Sequence, residues 1–149
     1  MTNTVRSVRF TIEGAPVAKG RPRIGKTANG KPIAFTPKKT RSYEDAVKTR
    51  AKVEMLGLTP IAGPVVFAVC AYVPIPKSYS KAKRLQAVNG EIVPAKRPDI
   101  DNYVKAAMDA CNGVVLDDDS LVADLIAHKR YSENPRLEIE VTEWRGVTG

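Results

Sequence analysis

Val8, Phe10 and Ile12 alternate with polar residues near the start of the chain, the period-two pattern of a strand with one buried face, and predict a strand over roughly Val5–Glu13. The next stretch, GAPVAKGRPRIGKTANGK, is rich in Gly, Pro and cations and reads as loop or hairpin, with Ile33–Thr36 a short strand closing it. Ser42 followed by Asp45 resembles a capping box, and Tyr43, Ala46, Val47, Arg50, Ala51 and Glu54 continue at helical spacing up to a stop at Gly57. PVVFAVCAYVP, residues 64–74, is apolar at every interior position and bounded by prolines, which predicts a central strand covered on both faces. A short basic helix starts near Ser80, Asn89–Gly90 marks a turn, and Pro94 and Pro98 keep residues 91–98 extended. A third helix runs from about Ile100 to Asn112 with Gly113 as its C-terminal cap. Val114–Leu116 is a strand stub, Leu121–Tyr131 alternates imperfectly as a strand, and Leu137, Ile139 and Val141 form a clean final one.

This order of elements predicts an α+β fold: one small domain over residues 1–149, with a mixed β-sheet packed by two or three helices. The 43% apolar content supports a real core, and there is no repeat or low-complexity segment. Cys70 and Cys111 sit in apolar runs with no C-x-x-C spacing, as small core residues of a reducing compartment do. The start, MTNTVRSVRF, lacks the apolar core of a secretory signal, and no apolar stretch approaches the roughly 20 residues that span a bilayer. A soluble, cytoplasmic protein with no membrane partner is expected.

Charge changes this picture from architecture to function. The formal net charge is +8, and it is unevenly placed. Residues 1–50 hold twelve Lys/Arg against three acids, whereas residues 101–149 hold five against ten. A basic first third points to a polyanionic partner, and nucleic acid is the first candidate. Lys19, Arg21, Arg23, Lys26 and Lys31 lie in the Gly/Pro-rich segment, with Lys38, Lys39 and Arg41 soon after. Such side chains bind phosphates without reading sequence. Lys77, Lys81, Lys83 and Arg84 form a further patch that reads equally well as a solvated helix face. Aromatic content is only 6%, which argues against a stacking platform for single strands.

Against this basic background stands an acidic knot, RPDIDNYVKAAMDACNGVVLDDDS, residues 97–120. Asp99 and Asp101 flank one residue at a helix entrance, so both carboxylates can point to one side. Acidic groups this close repel unless a cation sits among them, and Mg²⁺ takes one or two carboxylates plus water and substrate phosphate. The Asp117–Asp119 cluster can supply a third ligand after the helix reverses the chain. Lys105, four residues after Asp101, shares its helix face and could reach a scissile phosphate. Arg97 is placed to hold a phosphate beside the metal. Taken singly, each feature has an ordinary structural explanation: Asp99 as an N-cap, the D-D-D-S run as a solvated turn, Lys105 as a solvated helix lysine. Their combination in a basic protein is what points to metal-dependent phosphodiester chemistry.

KRPDIDNYVKAAMDACNGVVLDDDSLV closely resembles the signature of the RusA family of Holliday junction resolvases, common in phages and prophages. GAPVAKGRPR and AFTPKKTRSYE resemble the basic N-terminal segment of many members, and KRYSENPRLEIEV the closing strand pair. The resemblance implies a homodimeric, Mg²⁺-dependent endonuclease, with Mn²⁺ a possible substitute, that nicks four-way DNA junctions in recombination and repair. It assigns the metal ligands to Asp99, Asp101 and Asp119, with Asp118 the alternative third ligand, and the catalytic lysine to Lys105. A non-catalytic protein that binds junctions architecturally is the competing reading. A glycosyltransferase using Asp99-Ile-Asp101 as a nucleotide-sugar metal motif leaves the basic N-terminal third without a purpose.

Overall fold

In a computed structural model, which describes residues 5–19, 23–26, 28–35 and 38–145, the chain runs β1 (Ser7–Glu13), β2 (Arg23–Lys26), β3 (Pro32–Phe35), α1 (Lys38–Glu54), β4 (Val65–Pro74), α2 (Lys81–Val88), α3 (Ile100–Cys111), a 3₁₀ turn (Asp119–Leu121), β5 (Val122–Ser132) and β6 (Arg136–Glu143). Four strands form one mixed sheet in the order β1–β6–β4–β5, and β2 and β3 pair separately as a hairpin. The α+β class and mixed sheet expected from the sequence are therefore observed. β6 lies antiparallel to both its neighbours and sets Ile139 against Phe10 on one side and Val69 on the other. β4 and β5 are parallel, so the chain between them must return the full length of the sheet. That return carries α2 and α3.

The core follows the alternation. Phe67, Val69 and Ala71 of β4, Leu137, Ile139 and Val141 of β6 and Phe10 of β1 are all buried on one face. Val47, Ala51 and Met55 of α1 and Ala107, Ala110 and Cys111 of α3 join them in one cluster, and the alanines let the two helices pack closely. β4 is central, as its composition suggests, but only one of its faces is sealed. Val66, Ala68, Cys70 and Tyr72 alternate as half-buried residues on the side away from that cluster. There Arg136 stacks on Tyr72 with 3.9 Å between guanidinium carbon and ring centroid, and pairs with Glu138 at 2.8 Å. Both cysteines are free, and burial pushes the Cys111 thiol up to about 12.

Several local signals act as expected. Ser80 caps α2, its hydroxyl accepting from the Lys83 N–H at 3.2 Å. Gly90 and Gly113 take positive φ (77° and 76°) where their turns need it. The start of α1 differs from expectation. The helix opens at Lys38, so Ser42 lies inside it and caps nothing. Pro37, immediately before Lys38 in the sequence, is the residue type tolerated at a helix start and the better signal.

Candidate active site

α3 owes its place to its apolar stripe. Tyr103, Val104, Ala106, Ala107, Ala110 and Cys111 are buried, which turns Asp101 and Lys105 outward to solvent. The helix lies antiparallel to β4 and β5. At its N-terminal end Lys129, from the late part of β5, donates to the carbonyls of Lys96 (2.9 Å) and Pro98 (3.0 Å). At its C-terminal end Asp117 N–H donates to the Ile61 carbonyl at 2.9 Å, just before β4 begins. Asp99 and Asp101 therefore stand at the carboxyl ends of the two parallel strands, the end at which open α/β sheets receive ligands.

Asp99 occupies the N-cap position of α3 with extended backbone (φ −70°, ψ 150°), yet its side chain makes no capping hydrogen bond. Among the described residues, neither Asp99, Asp101, Asp117, Asp119 nor Lys105 forms an ion pair. Exposed carboxylates two residues apart, with no ion pair and no capping role, fit a hard divalent ion in their donor chemistry. Beside them a cleft of about 270 Å³ opens between Pro74, Pro98, Tyr103 and Tyr131, with Lys96, Arg97 and Lys129 in its walls. Tyr131 is fixed there by an edge-on contact with Tyr79 (5.9 Å between centroids, 73°) and a 3.2 Å hydroxyl hydrogen bond. The cleft joins cations and ring faces next to the acidic pair, and its lysines at positions 96 and 129 carry no motif that marks them in the sequence.

The second acidic cluster lies elsewhere. Asp118 caps the 3₁₀ turn, its Oδ2 accepting from the Ser120 N–H at 3.0 Å, and the Ser120 hydroxyl together with that N–H holds its carboxyl below the usual value. The Asp119 N–H donates to Asn112 Oδ1 at 3.0 Å, so Asp119 hangs from the C-terminal end of α3. The twelve residues of α3 span about 18 Å. Within one chain Asp119 and the Asp99–Asp101 pair are thus a helix length apart. Consistently, no three His, Cys, Asp or Glu side chains among the described residues converge as a metal-holding group.

The basic residues also separate into kinds. Lys38, Lys39 and Arg41 are exposed at the start of α1, where no acidic residue occupies the first turn. Cations there oppose the helix dipole, an arrangement that suits an external anion better than the helix itself. Arg97 is exposed. Lys19 behaves differently from its sequence neighbours. Its ammonium lies 2.6 Å from Asp109 Oδ2 on α3 and 3.2 Å from Glu44 Oε1 on α1, tying the two helices together. The hydrogen bond to Asp109 raises the Lys19 pKa. Its charge is neutralised inside the protein, so it is not part of a free basic surface. Arg21 lies outside the described residues, as do the side chains of Arg23 and Lys26.

No helix among the described residues is long and apolar enough to cross a membrane. The chain is 43% identical over 138 residues to the "Uncharacterized protein YqaN" of Bacillus subtilis (strain 168), an alignment covering 91% of this chain and 96% of that protein. A family model described as Endodeoxyribonuclease RusA matches residues 13–142, a span that takes in both acidic clusters, all three helices and the sheet from β4 to β5. With the acidic pair free at the head of α3 and that match covering most of the sequence, the chain belongs to the RusA endodeoxyribonuclease family.

Proposed function

We propose that the protein is a Mg²⁺-dependent, structure-selective endodeoxyribonuclease that resolves four-way DNA junctions by paired nicks. In this reading it acts as a homodimer in the cytoplasm of a bacterial cell, in recombination and repair, and is of phage or prophage origin. The observation that carries the reading is the Asp99–Asp101 pair, exposed and unpaired among the described residues at the mouth of α3 in a chain of this family. Asp99 and Asp101 would hold the cation, with Mn²⁺ able to replace Mg²⁺; Asp119, the third ligand that the family motif assigns, lies a helix length from them within one chain. Asp118, whose carboxylate is engaged in capping the 3₁₀ turn, is the weaker candidate for the third place. When bound, the ion supplies an activated water and neutralises charge on the phosphoryl and leaving oxygens.

The remaining work falls to the chain's own side chains. Lys105, exposed one helical turn after Asp101, presents its ammonium on the same side as the carboxylates. There it offsets the charge that develops on the scissile phosphate. Arg97 offers a planar fork of donors to a neighbouring phosphate. Lys38, Lys39 and Arg41 hold the backbone of a further arm, joined by Arg21, Arg23 and Lys26 of the basic segment. These groups read shape and charge, which suits a branched substrate better than a base sequence.

Cleavage of a labelled four-way junction, compared with linear duplex in Mg²⁺ and in EDTA, tests the proposal. Nicks near the branch point that need metal, and that fall by on the order of a hundredfold or more in Asp101→Asn while junction binding persists, are expected. Tight junction binding with no metal-dependent product from the wild type would make the protein an architectural DNA-binding member instead.

A further inference from the structure

We infer that α2 and the adjoining end of β5 form a docking groove for an acidic segment of a partner protein, one that carries apolar side chains between its carboxylates. The residues concerned lie outside the candidate active site, so the groove stands whatever metal the acidic pair holds. α2 is turned the wrong way for a core helix. Of its eight residues only Ala87 is buried. Ala87 and Lys83, one turn apart, share the side turned toward the protein, where the Lys83 ammonium lies 4.2 Å from the centre of the Tyr79 ring. Lys81, Leu85 and Val88 follow helical spacing on another side, and there Leu85 and Val88 are 61% and 48% exposed. A helix this short is unstable alone in water, and one buried alanine anchors it weakly. An apolar stripe left outward on such a helix is the pattern of a surface that closes over a partner.

Shape and charge select the occupant. Between the stripe and Glu133, just past the end of β5, lies a groove of about 680 Å³ lined by Lys81, Ala82, Arg84, Leu85, Val88 and Glu133. The chain around it is positive, for residues 77–90 contain four cations and no acid. Arg84 and Glu133 stand 3.9 Å apart with side chains 37% and 67% exposed, a loose contact that leaves both free to turn to a ligand. Carboxylates of an acidic peptide would meet Lys81 and Arg84, and its apolar side chains would cover Leu85 and Val88. Its backbone N–H groups would find an acceptor in Glu133. A DNA strand fits less well. Its phosphates offer acceptors only, so they repel Glu133 and leave the two apolar side chains uncovered.

The groove lies beside the cleft at the head of α3 without sharing a residue with it. Tyr79, under the Lys83 ammonium, has its hydroxyl 3.2 Å from that of Tyr131, and Tyr131 lines the cleft with Arg97 and Pro98. A partner held on α2 therefore leaves Asp99 and Asp101 open while standing next to whatever enters that cleft. The arrangement suits recruitment of the chain by a protein already seated on the same nucleic acid.

Selection of short random peptides on the immobilised full chain tests the assignment. Peptides rich in Asp and Glu with interspersed Leu, Ile or Phe should be enriched on the wild type and not on a Leu85→Ser, Val88→Ser double variant. A fluorescein-labelled synthetic copy of the most enriched peptide, followed by anisotropy, should bind the wild type about tenfold or more tightly than the double variant. Lys81→Glu with Arg84→Glu should weaken it comparably, and a copy with lysine in place of each acid should prefer that charge-reversed chain. Leu85 and Val88 are exposed, so the melting temperature and junction binding of their double variant should match the wild type. Enrichment of no acidic peptide, or enrichment that survives both pairs of substitutions, overturns the inference. Displacement of the peptide by junction DNA, with weaker junction binding by the double variant, also overturns it and makes α2 part of the DNA interface. A double variant whose oligomeric state changes in sedimentation velocity overturns it too, since the occupant would then be a second copy of the chain.

Discussion

The backbone N–H of Asp119 donates to Oδ1 of Asn112 at 3.0 Å, and this bond ties the second acidic cluster to the last turn of the motif-bearing helix. Asn112→Ala removes the acceptor while leaving α3 otherwise intact. A net loss of about 1 kcal/mol is expected, the ordinary worth of one such hydrogen bond. Cleavage should fall much further than stability, because the 3₁₀ turn would no longer present Asp119 in one position. Urea denaturation beside junction cleavage separates the two effects, and equal small losses in both would remove Asp119 from the chemistry.

Lys19 gives a prediction in the opposite direction. Lys19→Met leaves Asp109 and Glu44 facing each other without a cation, and unfolding free energy should drop by about 1–3 kcal/mol. Because folding raises the Lys19 pKa above its ordinary 10.5, its contribution is complete below that value and is lost as pH rises through the folded pKa. Wild type and variant should therefore converge in stability at strongly alkaline pH. The salt dependence of junction binding should be unchanged in the variant; a shallower dependence would show that Lys19 meets phosphate after all.

Removing Lys38, Lys39 and Arg41 together should weaken DNA binding and strengthen the fold. Every cation withdrawn from a phosphate lowers the slope of log K against log salt by about 0.9, so the triple alanine variant should bind junctions with a slope smaller by nearly three. The same change takes three positive charges away from the positive end of α1, which is worth about 0.3–1 kcal/mol per charge near a helix terminus. A melting temperature that rises while affinity falls is the expected pair of results. A fall in both would mean that these side chains hold the structure.

Phe67 is fully buried in the middle of the central strand, between the two helices and the sheet. Phe67→Ala should cost about 3–5 kcal/mol, a large share of the stability of an ordinary domain. Guanidinium unfolding with an unchanged m-value would attribute the loss to the cavity. A loss below about 1 kcal/mol would place the core elsewhere.

Much of this architecture is legible in the sequence, for reasons that are local. Ser80, Asn89–Gly90 and Gly113 act through their own backbone and neighbours, and the alternation of Leu137, Ile139 and Val141 needs only a sheet with one buried face. The acidic motif is equally plain, since Asp99, Asp101 and Lys105 share a helix start. What stays hidden is tertiary. Nothing in the run PVVFAVCAYVP tells that only one face of β4 will be sealed by helices. Nothing in the composition of the basic segment distinguishes Lys19, which finds Asp109 ninety residues away, from the cations around it. Asp119 shows the limit most clearly. Asp101 and Asp119 belong to one continuous motif in sequence, and the helix between them keeps them apart in space.

The position of β6 has a consequence for how the molecule is made. β1 and β4 are not bonded to one another; they are joined only through β6, the strand that lies between them and that comes last in the order of elements. Until residues 136–143 exist, the first strand has no partner in the sheet and β4 lacks one of its two neighbours. The pairings that close the sheet therefore join distant parts of the chain, a topology in which folding is slow and comes late. During synthesis the basic segment and the acidic helix are present long before the sheet that organises them. The sheet that organises the basic segment and the acidic helix can close only when the last strand pairs with both β1 and β4, so truncation before residue 136 leaves those charged elements without their frame.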